Sequence, residues 1–246
     1  MTALFSVEAK NIVITGGNGG IGSAIAFGLV ELGANVIVMD CQHSGVCNGL
    51  DFVPVDFLRQ ESIDPAIASV TDRWSAVHGL VNCAGVTKSN SPATYSNLDW
   101  DETMDVNLKS VFLVCRAFGR KMIEQKDSAS IVNVTSIGGH RGFPNNPAYV
   151  ASKGGLRQLT KALSVDWGKY GVRVNNLVPG YTNTNMNKKS WEDRSDRQER
   201  ESRASLGRWG RPVEFVGPAA FLLSEASSFV TGSDLVVDGG WLSKGL

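Results

Sequence analysis

The sequence predicts an α/β fold: a single doubly wound parallel β-sheet with helices on both faces. Three observations predict it. Short apolar, β-branched runs alternate with helical patterns along all 246 residues. The first run meets the first helical pattern at a glycine-rich turn, Gly16-Gly17-Asn18-Gly19-Gly20-Ile21-Gly22. The second run ends in an acid, Asp40.

The first run, Asn11-Ile12-Val13-Ile14, reads as a strand, and Ser23 to Val30 carries helical periodicity. Strand, glycine turn and helix together hold a pyrophosphate. Residues without side chains let the backbone approach, and the unpaired N–H groups of the helix start face the phosphates. This is a Rossmann-type arrangement. Further strands are expected over 34–40, 52–56, 79–85, 130–136, 172–178 and 234–237. Helical patterns cover about 98–124, 147–167 and 213–223. Strands that are almost continuously hydrophobic, separated by helices, mean a sheet buried on both faces. With no repeat, low-complexity tract or linker-like composition, 1–246 is expected to form one nucleotide-binding domain, with a substrate loop at about 183–206.

Lys+Arg and Asp+Glu number 24 each, so no overall field favours nucleic acid or an anionic membrane. No apolar run is long enough to span a bilayer, and the first eight residues lack the basic start and apolar core of a secretion signal. A cytoplasmic protein is the expectation. Cys41, Cys47, Cys83 and Cys115 form no C-x-x-C pair, and His43, His78 and His140 are scattered. Neither a metal site nor a disulfide framework is expected, and the cysteines read as small buried side chains.

Ligands of such sheets sit beyond the carboxyl ends of the strands. Gly16, Asp40, Asp56, Asn82, Ser136 and Pro179, each just past an apolar run, should therefore ring one crevice. A carboxylate at Asp40 can accept hydrogen bonds from an adenosine ribose diol and would repel a 2′-phosphate. No basic residue stands in Gly17-Asn18-Gly19 or in Cys41-Gln42-His43. NAD is the expected cofactor, in preference to NADP.

Further motifs carry a resemblance over nearly the whole chain. Thr15-Gly16-Gly17-Asn18-Gly19-Gly20-Ile21-Gly22 matches T-G-x-x-x-G-x-G, and Asn82-Cys83-Ala84-Gly85 matches N-N-A-G with Cys83 in place of the second Asn. Tyr149-Val150-Ala151-Ser152-Lys153 matches Y-x-x-x-K, with Ser136 thirteen residues before the tyrosine (149 − 136 = 13). Pro179-Gly180-Tyr181-Thr182-Asn183-Thr184-Asn185-Met186 matches P-G-x-x-x-T-x-M, and Val237-Asp238-Gly239-Gly240 looks like a C-terminal signature. In these residues the chain resembles the short-chain dehydrogenase/reductase family. The resemblance implies that Asn107, Ser136, Tyr149 and Lys153 are catalytic. It implies cofactor contacts from Gly16, Asn18, Gly20, Ile21, Gly22, Asn82, Ala84, Gly85, Pro179, Gly180, Tyr149 and Lys153. Asp56 and Phe57 would then meet the adenine, and Thr182 and Thr184 the nicotinamide carboxamide and the phosphates.

Tyr149 and Lys153, four apart, share a helix face. Asn146 reads as the N-cap and Pro147 as the first helical residue, which puts Tyr149 in the first turn, where the dipole favours a phenolate. A free tyrosine has a pKa of about 10, and lowering it by roughly three units needs about 4 kcal/mol of preferential stabilisation of the phenolate. The Lys153 ammonium and the helix terminus have the right sign for an acidified phenol. In the resembling family the tyrosine exchanges a proton with the substrate oxygen while hydride moves to or from the nicotinamide, and Ser136 would hydrogen-bond that oxygen. Lys153 would also bind the nicotinamide ribose. Counted along one continuous helix, Asn107 shares an apolar stripe with Trp100, Met104, Val111 and Val114. A buried amide there needs hydrogen-bond partners, and the resemblance implies a water leading to Lys153.

Substrate choice is expected to come from the loops after the strands. Asp193–Arg197, Asp196–Arg200 and Glu199–Arg203 are acid-before-base pairs four apart, which reads as a solvated helix face. Lys188, Lys189, Arg194, His140 and Arg141 remain to meet an anion on the substrate. The wording of Pro179 to Asn187 and of Gly207 to Pro212 is similar to members acting on sugars and sugar acids. An alcohol of a sugar, sugar acid or polyol is therefore the expected substrate. The alternatives are a 3-oxoacyl-thioester reductase and, in a different class, a non-catalytic module that senses NAD. The resemblance implies a homotetramer. The apolar positions Phe112, Cys115, Phe118 and Met122 permit that, and packing within one subunit explains them equally well.

Overall fold

The β-branched runs form strands where the alternation of side chains can bury both faces. The computed structural model describes residues 2–41 and 46–244. Its strands are β1 (Asn11–Thr15), β2 (Asn35–Asp40), β3 (Asp51–Pro54), β4 (Gly79–Asn82), β5 (Ala129–Val134), β6 (Val172–Pro179) and β7 (Asp234–Val237). All pair in parallel in the order β3-β2-β1-β4-β5-β6-β7. The direction of winding reverses between β1 and β4, which opens a crevice beyond their carboxyl ends.

The helices are α1 (Gly20–Glu31), α2 (Ile63–Arg73), α3 (Asn97–Met104), α4 (Ser110–Gln125), α5 (Pro147–Trp167), α6 (Lys188–Glu192), α7 (Arg194–Arg203), α8 (Val216–Leu223) and α9 (Trp241–Lys244). On one face of the sheet Val13, Ile37, Leu80, Ile131 and Val174 pack with Phe118 and Met122 of α4 and Leu156 and Leu163 of α5. On the other, Ile12, Ile14, Val38, Val81, Val132 and Leu177 pack with Ile25 and Leu29 of α1 and Leu222 and Leu223 of α8. Ile12 and Val13 thus serve opposite layers, the strand period of two.

Three features depart from the sequence reading. The helical stretch 98–124 is interrupted by a π-turn, Asp105–Lys109, between α3 and α4. Its extra residue turns α4 relative to α3, so the stripe through Asn107 does not continue backwards. Val111 and Val114 are buried, whereas Trp100 is 40% exposed. The helix near 213–223 opens with a 3₁₀ turn, Pro212–Phe215, before α8. The unpredicted helix α2 buries Ile63, Ala66, Ile67 and Val70, a stripe at helical spacing.

Cys115, Phe118 and Met122 are buried in the subunit's own core. Only Phe112 of that quartet is exposed, with the Arg116 guanidinium 5.6 Å from its ring centroid. Against the expectation of four buried thiols, Cys41 is exposed, because it follows the end of β2, and Cys83 is only half-buried. Among the described residues no helix is long and apolar enough to cross a membrane.

Candidate active site

The glycine turn is compact because it must be. Gly16 has φ +71°, and a Cβ there would lie 2.5 Å from the Ala84 backbone. A Cβ on Gly22 would run into the Gly16 carbonyl, and one on Gly20 would come within 2.8 Å of the Thr184 methyl. The turn therefore packs against the segment after β4 and faces the one after β6. A cleft of about 410 Å³ lies between Asn18, Gly20 and Ser23 on one side and Asn183, Thr184, Asn185 and Trp191 on the other. Ile21 packs on the core beneath the turn.

Asp40, at the end of β2, accepts from the Asn18 N–H through Oδ2 at 2.9 Å and from the Cys41 N–H through Oδ1 at 2.7 Å. A carboxylate is thereby fixed beside the glycine turn. Of the residues read as lacking positive charge after it, Gln42 and His43 lie outside the described residues.

Ser136 and Tyr149 converge at the carboxyl edge. The Ser136 Oγ accepts from the Gly138 N–H at 3.0 Å, and the same side chain is near enough to the Tyr149 phenol to favour its ionised form. Tyr149 is the third residue of α5, in its first turn as expected. Lys153, one turn on, is buried, donates from Nζ to the Val134 carbonyl at 2.9 Å and stands 5.9 Å from the Tyr149 ring centroid. Gly85 lies against this ammonium: a Cβ there would be 3.5 Å from Nζ.

The acidity expected of the phenol is corrected by the structure. Burial pushes Tyr149 above its ordinary value, with Ser136 pulling the other way. Burial likewise lowers the Lys153 ammonium to about 8. Both shifts have one cause: a charged form loses water and gains little in exchange. Cys83, which is part of the same surroundings, is pushed up to about 12 by burial. Asn146 does not cap α5 with its side chain. Its Oδ1 instead accepts from the Thr87 hydroxyl at 3.1 Å.

Asn107 is buried in the π-turn with both ends of its amide engaged. Oδ1 accepts from the Val86 N–H at 2.8 Å, and Nδ2 donates to the Val86 carbonyl at 2.9 Å and the Ser152 hydroxyl at 3.1 Å. It fastens the strand end that carries Ala84 and Gly85 to the helix that carries Lys153.

Other predicted contact residues are engaged within the protein. The Asn82 side chain turns into the core, where Nδ2 donates to Asn133 Oδ1 at 2.8 Å. The Phe57 side chain is buried in the core among Val55, Ile63 and Ile67. The Asp56 carboxylate accepts from the Leu58 N–H at 3.0 Å and so closes its own turn. Thr182 is buried, and its hydroxyl donates to the Gly180 carbonyl at 3.0 Å. Gly180 follows Pro179, the last residue of β6, and a Cβ there would lie 2.7 Å from Asp238 Cα.

The cations expected to meet a substrate anion disperse. His140 Nε2 lies 3.7 Å from Asp234 Oδ2 at the amino end of β7, beside Arg157, and burial lowers its pKa. Lys188 is 3.7 Å from Glu192 on the surface. Arg141, Lys189 and Arg194 are exposed. Asp193 caps α7, accepting from the Asp196 N–H at 2.9 Å, and Arg197 instead stands 4.0 Å from Glu201.

Sequence reading passed over an aromatic wall. Tyr181 lies 6.0 Å from Phe143, 5.4 Å from Trp209 and 6.0 Å from Trp241, measured between ring centroids. Arg208 holds both Glu214 oxygens, at 2.9 and 2.6 Å, which braces the loop carrying Trp209. The density of Trp and Tyr after residue 180 was the available signal.

The family model described as Enoyl-(Acyl carrier protein) reductase matches residues 16–242. The chain is 36% identical over 255 residues to a 2-dehydro-3-deoxy-D-gluconate 5-dehydrogenase of Pseudoalteromonas atlantica, with 99% of this chain and 100% of that one covered. It is 39% identical over 234 residues to an acetoacetyl-CoA reductase of Synechocystis, with 95% and 96% covered. Among solved structures, a gluconate 5-dehydrogenase from Burkholderia cenocepacia in complex with NADP and tartrate is similar, with a TM-score of 0.93, 33% identity and 98% of each chain covered. On the match of the family model to almost its whole length, the chain belongs to the short-chain dehydrogenase/reductase family of oxidoreductases.

Proposed function

We propose that this protein interconverts a secondary alcohol and its ketone on a sugar acid, with NAD as the hydride carrier. The observation that carries the reading is the convergence of Ser136, Tyr149 and Lys153 beside the glycine turn. The Ser136 side chain favours the ionised form of the phenol, and the ammonium stands 5.9 Å from the phenol ring centroid.

The residues present fit a nicotinamide dinucleotide. Gly20 and Thr184 face each other across a gap that a single methyl would close to 2.8 Å, and Asp40 supplies acceptors suited to a ribose diol. The turn from Gly16 to Gly22, with Asn18, would hold the pyrophosphate, together with Ala84, Gly85, Gly180 and Thr184 along the crevice. When bound, the dinucleotide supplies the acceptor or donor of hydride.

The chain's own residues manage the proton. In reduction the Tyr149 phenol donates its proton to the oxygen that carbonyl reduction leaves negative. In oxidation its phenolate takes the proton of the alcohol. Ser136 hydrogen-bonds the same oxygen and fixes its distance from Tyr149. Lys153, held by the Val134 carbonyl, stays aligned with the sheet edge one helical turn from the phenol. Because burial raises the phenol, its protonated form dominates at neutral pH, and the site is set to donate. Asn107 positions Lys153 through Ser152. Residues 183–206 form the substrate loop, through the inward side of α7; the outward side, which carries Arg203, stays in solvent and outside the binding machinery.

The sugar-acid assignment draws on the relatives from Pseudoalteromonas and Burkholderia. A second reading, reduction of a 3-oxoacyl thioester, is favoured by the Synechocystis relative. The test is a panel of sugar acids, polyols and acetoacetyl-CoA, followed by nicotinamide absorbance with NAD(H) and NADP(H) in parallel. Turnover of a sugar acid with NAD, abolished by Tyr149→Phe while NAD still binds, supports the proposal. Full activity of Tyr149→Phe refutes the mechanism. Activity confined to the thioester selects the second reading.

A further inference from the structure

Helix α7 turns one face inward, and that face carries arginine. Arg197, Arg200, Glu201 and Ala204 recur at helical spacing and are shielded, while Gln198, Glu199 and Ser202 are exposed. The Arg200 side chain is 22% exposed and that of Arg203, the next acid-before-base partner, 57%. The Arg200 guanidinium lies over the Tyr181 ring, 4.9 Å from its centroid.

From Tyr181 a continuous wall leads to the reacting group. Tyr181 stacks on Phe143 at 6.0 Å. A Cβ on Gly138 would lie 3.2 Å from Phe143 Cε2 and 3.3 Å from Tyr149 Cε1, so the two rings flank that one glycine. Trp241 meets both Phe143 and Tyr181 edge-on, and among the described residues its buried Nε1–H has no hydrogen-bond partner. The wall thus offers apolar faces for the C–H side of a polyhydroxylated chain and an unspent donor.

Arg200 has capacity left. Its Nη1 lies 3.0 Å from Asp196 Oδ2 but without the alignment of a hydrogen bond, and the Asp196 side chain is 49% exposed. A guanidinium carries five donors in a planar fork that matches a carboxylate. The Arg197 guanidinium lies over the Trp191 ring instead, 5.3 Å from its centroid, one ring further along the cluster.

We propose that Arg200 binds the carboxylate of the substrate, with Tyr181 as the stacking platform that sets the plane of the guanidinium. Tyr149 and Ser136 then hold the reacting oxygen several carbons away, and specificity for an acid over a neutral polyol resides in Arg200. Burial opposes its charge, and the Tyr181 and Asp196 side chains outweigh that and hold its pKa above the ordinary value. The inference rests on the sugar-acid reading.

The experiment compares an aldonate with the alditol of the same carbon skeleton in wild type, Arg200→Met, Arg200→Lys and Arg203→Met. Thermal shift of the NADH complex by each compound gives a readout of binding. Arg200→Met is expected to lower kcat/KM for the aldonate about 10- to 100-fold, chiefly through KM, with little change for the alditol. The aldonate's thermal shift disappears with it, Arg200→Lys recovers part of the loss, and Arg203→Met behaves as wild type. Equal losses on both compounds, or none on the aldonate, overturn the proposal while the sugar-acid reading stands. A wild-type enzyme that neither binds nor turns over any aldonate overturns both.

Discussion

The Asn18 N–H donates to Asp40 Oδ2 at 2.9 Å, so the glycine turn and the end of β2 are one unit. The same carboxylate takes the Cys41 N–H at 2.7 Å and cannot swing away from an approaching phosphate. Wild type is expected to prefer NAD over NADP by about 100-fold in kcat/KM, the scale of one close like-charge repulsion in a sheltered site. Asp40→Ala should narrow that ratio about tenfold or more. Equal use of both cofactors by wild type would remove Asp40 from the selectivity.

Lys153 gives the fold a pH dependence of its own. Burial holds its ammonium at about 8 against an ordinary 10.5. Below about 8 both folded and unfolded chains carry the proton, and the full cost of burying the charge weighs on the fold. Between 8 and 10.5 the folded chain has released a proton that the unfolded chain keeps, so stability rises with pH through that window. The gain amounts to about 3 kcal/mol at most. Urea unfolding of the protein without added dinucleotide, at about pH 7.5 and 9.5, should show about 2 kcal/mol of that gain in wild type and not in Lys153→Met. Parallel behaviour of the two would contradict it.

Tyr149 imposes a second dependence, on rate. Because its pKa lies above the ordinary value, the phenolate is scarce at neutral pH and grows with alkalinity. Initial rates of alcohol oxidation should therefore climb roughly tenfold per pH unit well below that pKa, while ketone reduction stays flat over the same range. A flat oxidation profile would assign the base elsewhere.

The thiols divide sharply. Burial pushes Cys83 and Cys115 up to about 12 and Cys47 is buried with Sγ 3.0 Å from the Gly17 carbonyl, whereas Cys41, though partial burial and Asp40 raise it too, is exposed to reagent. At neutral pH a thiol reagent should label the native protein once, and Cys41→Ser should abolish the labelling. Rapid reaction of a second thiol would mean that the glycine turn or the α4 core opens.

These outcomes separate what local spacing reveals from what it conceals. Tyr149 and Lys153 were legible because four residues on a helix define a face, and Asp40 because a strand end defines a place. The acidity of Tyr149 was not, since it is a balance of burial against charge that no spacing encodes. Asp196–Arg200 and Glu199–Arg203 have the same sequence signature, yet one lies against Tyr181 and the other in solvent. The wall of Phe143, Tyr181, Trp209 and Trp241 is assembled from distant segments, so only the closed sheet brings it together. The π-turn at Asp105–Lys109 adds one residue to a turn, which a fixed helical period cannot register.

The strongest stability prediction concerns Thr160. Asn82 Nδ2 donates to Asn133 Oδ1 at 2.8 Å, Asn133 Nδ2 to Thr160 Oγ1 at 2.8 Å, Thr160 Oγ1 to Asn176 Oδ1 at 2.6 Å, and Asn176 Nδ2 to Asp234 Oδ1 at 2.8 Å. Asn133, Thr160 and Asn176 are buried, so this chain links β4, β5, α5, β6 and β7 through the interior. Thr160→Val keeps the shape and deletes the central hydroxyl, leaving one donor and one acceptor without partners at about 1–3 kcal/mol each. For a chain of this size the loss should appear as a fall in Tm of roughly 5–15 °C. Because Ser136, Tyr149 and Lys153 make their contacts outside this network, kcat at 25 °C should stay within about threefold of wild type. A Tm within about 1 °C of wild type would mean that the interior amides re-pair without Thr160, and that parallel register rests on apolar packing alone.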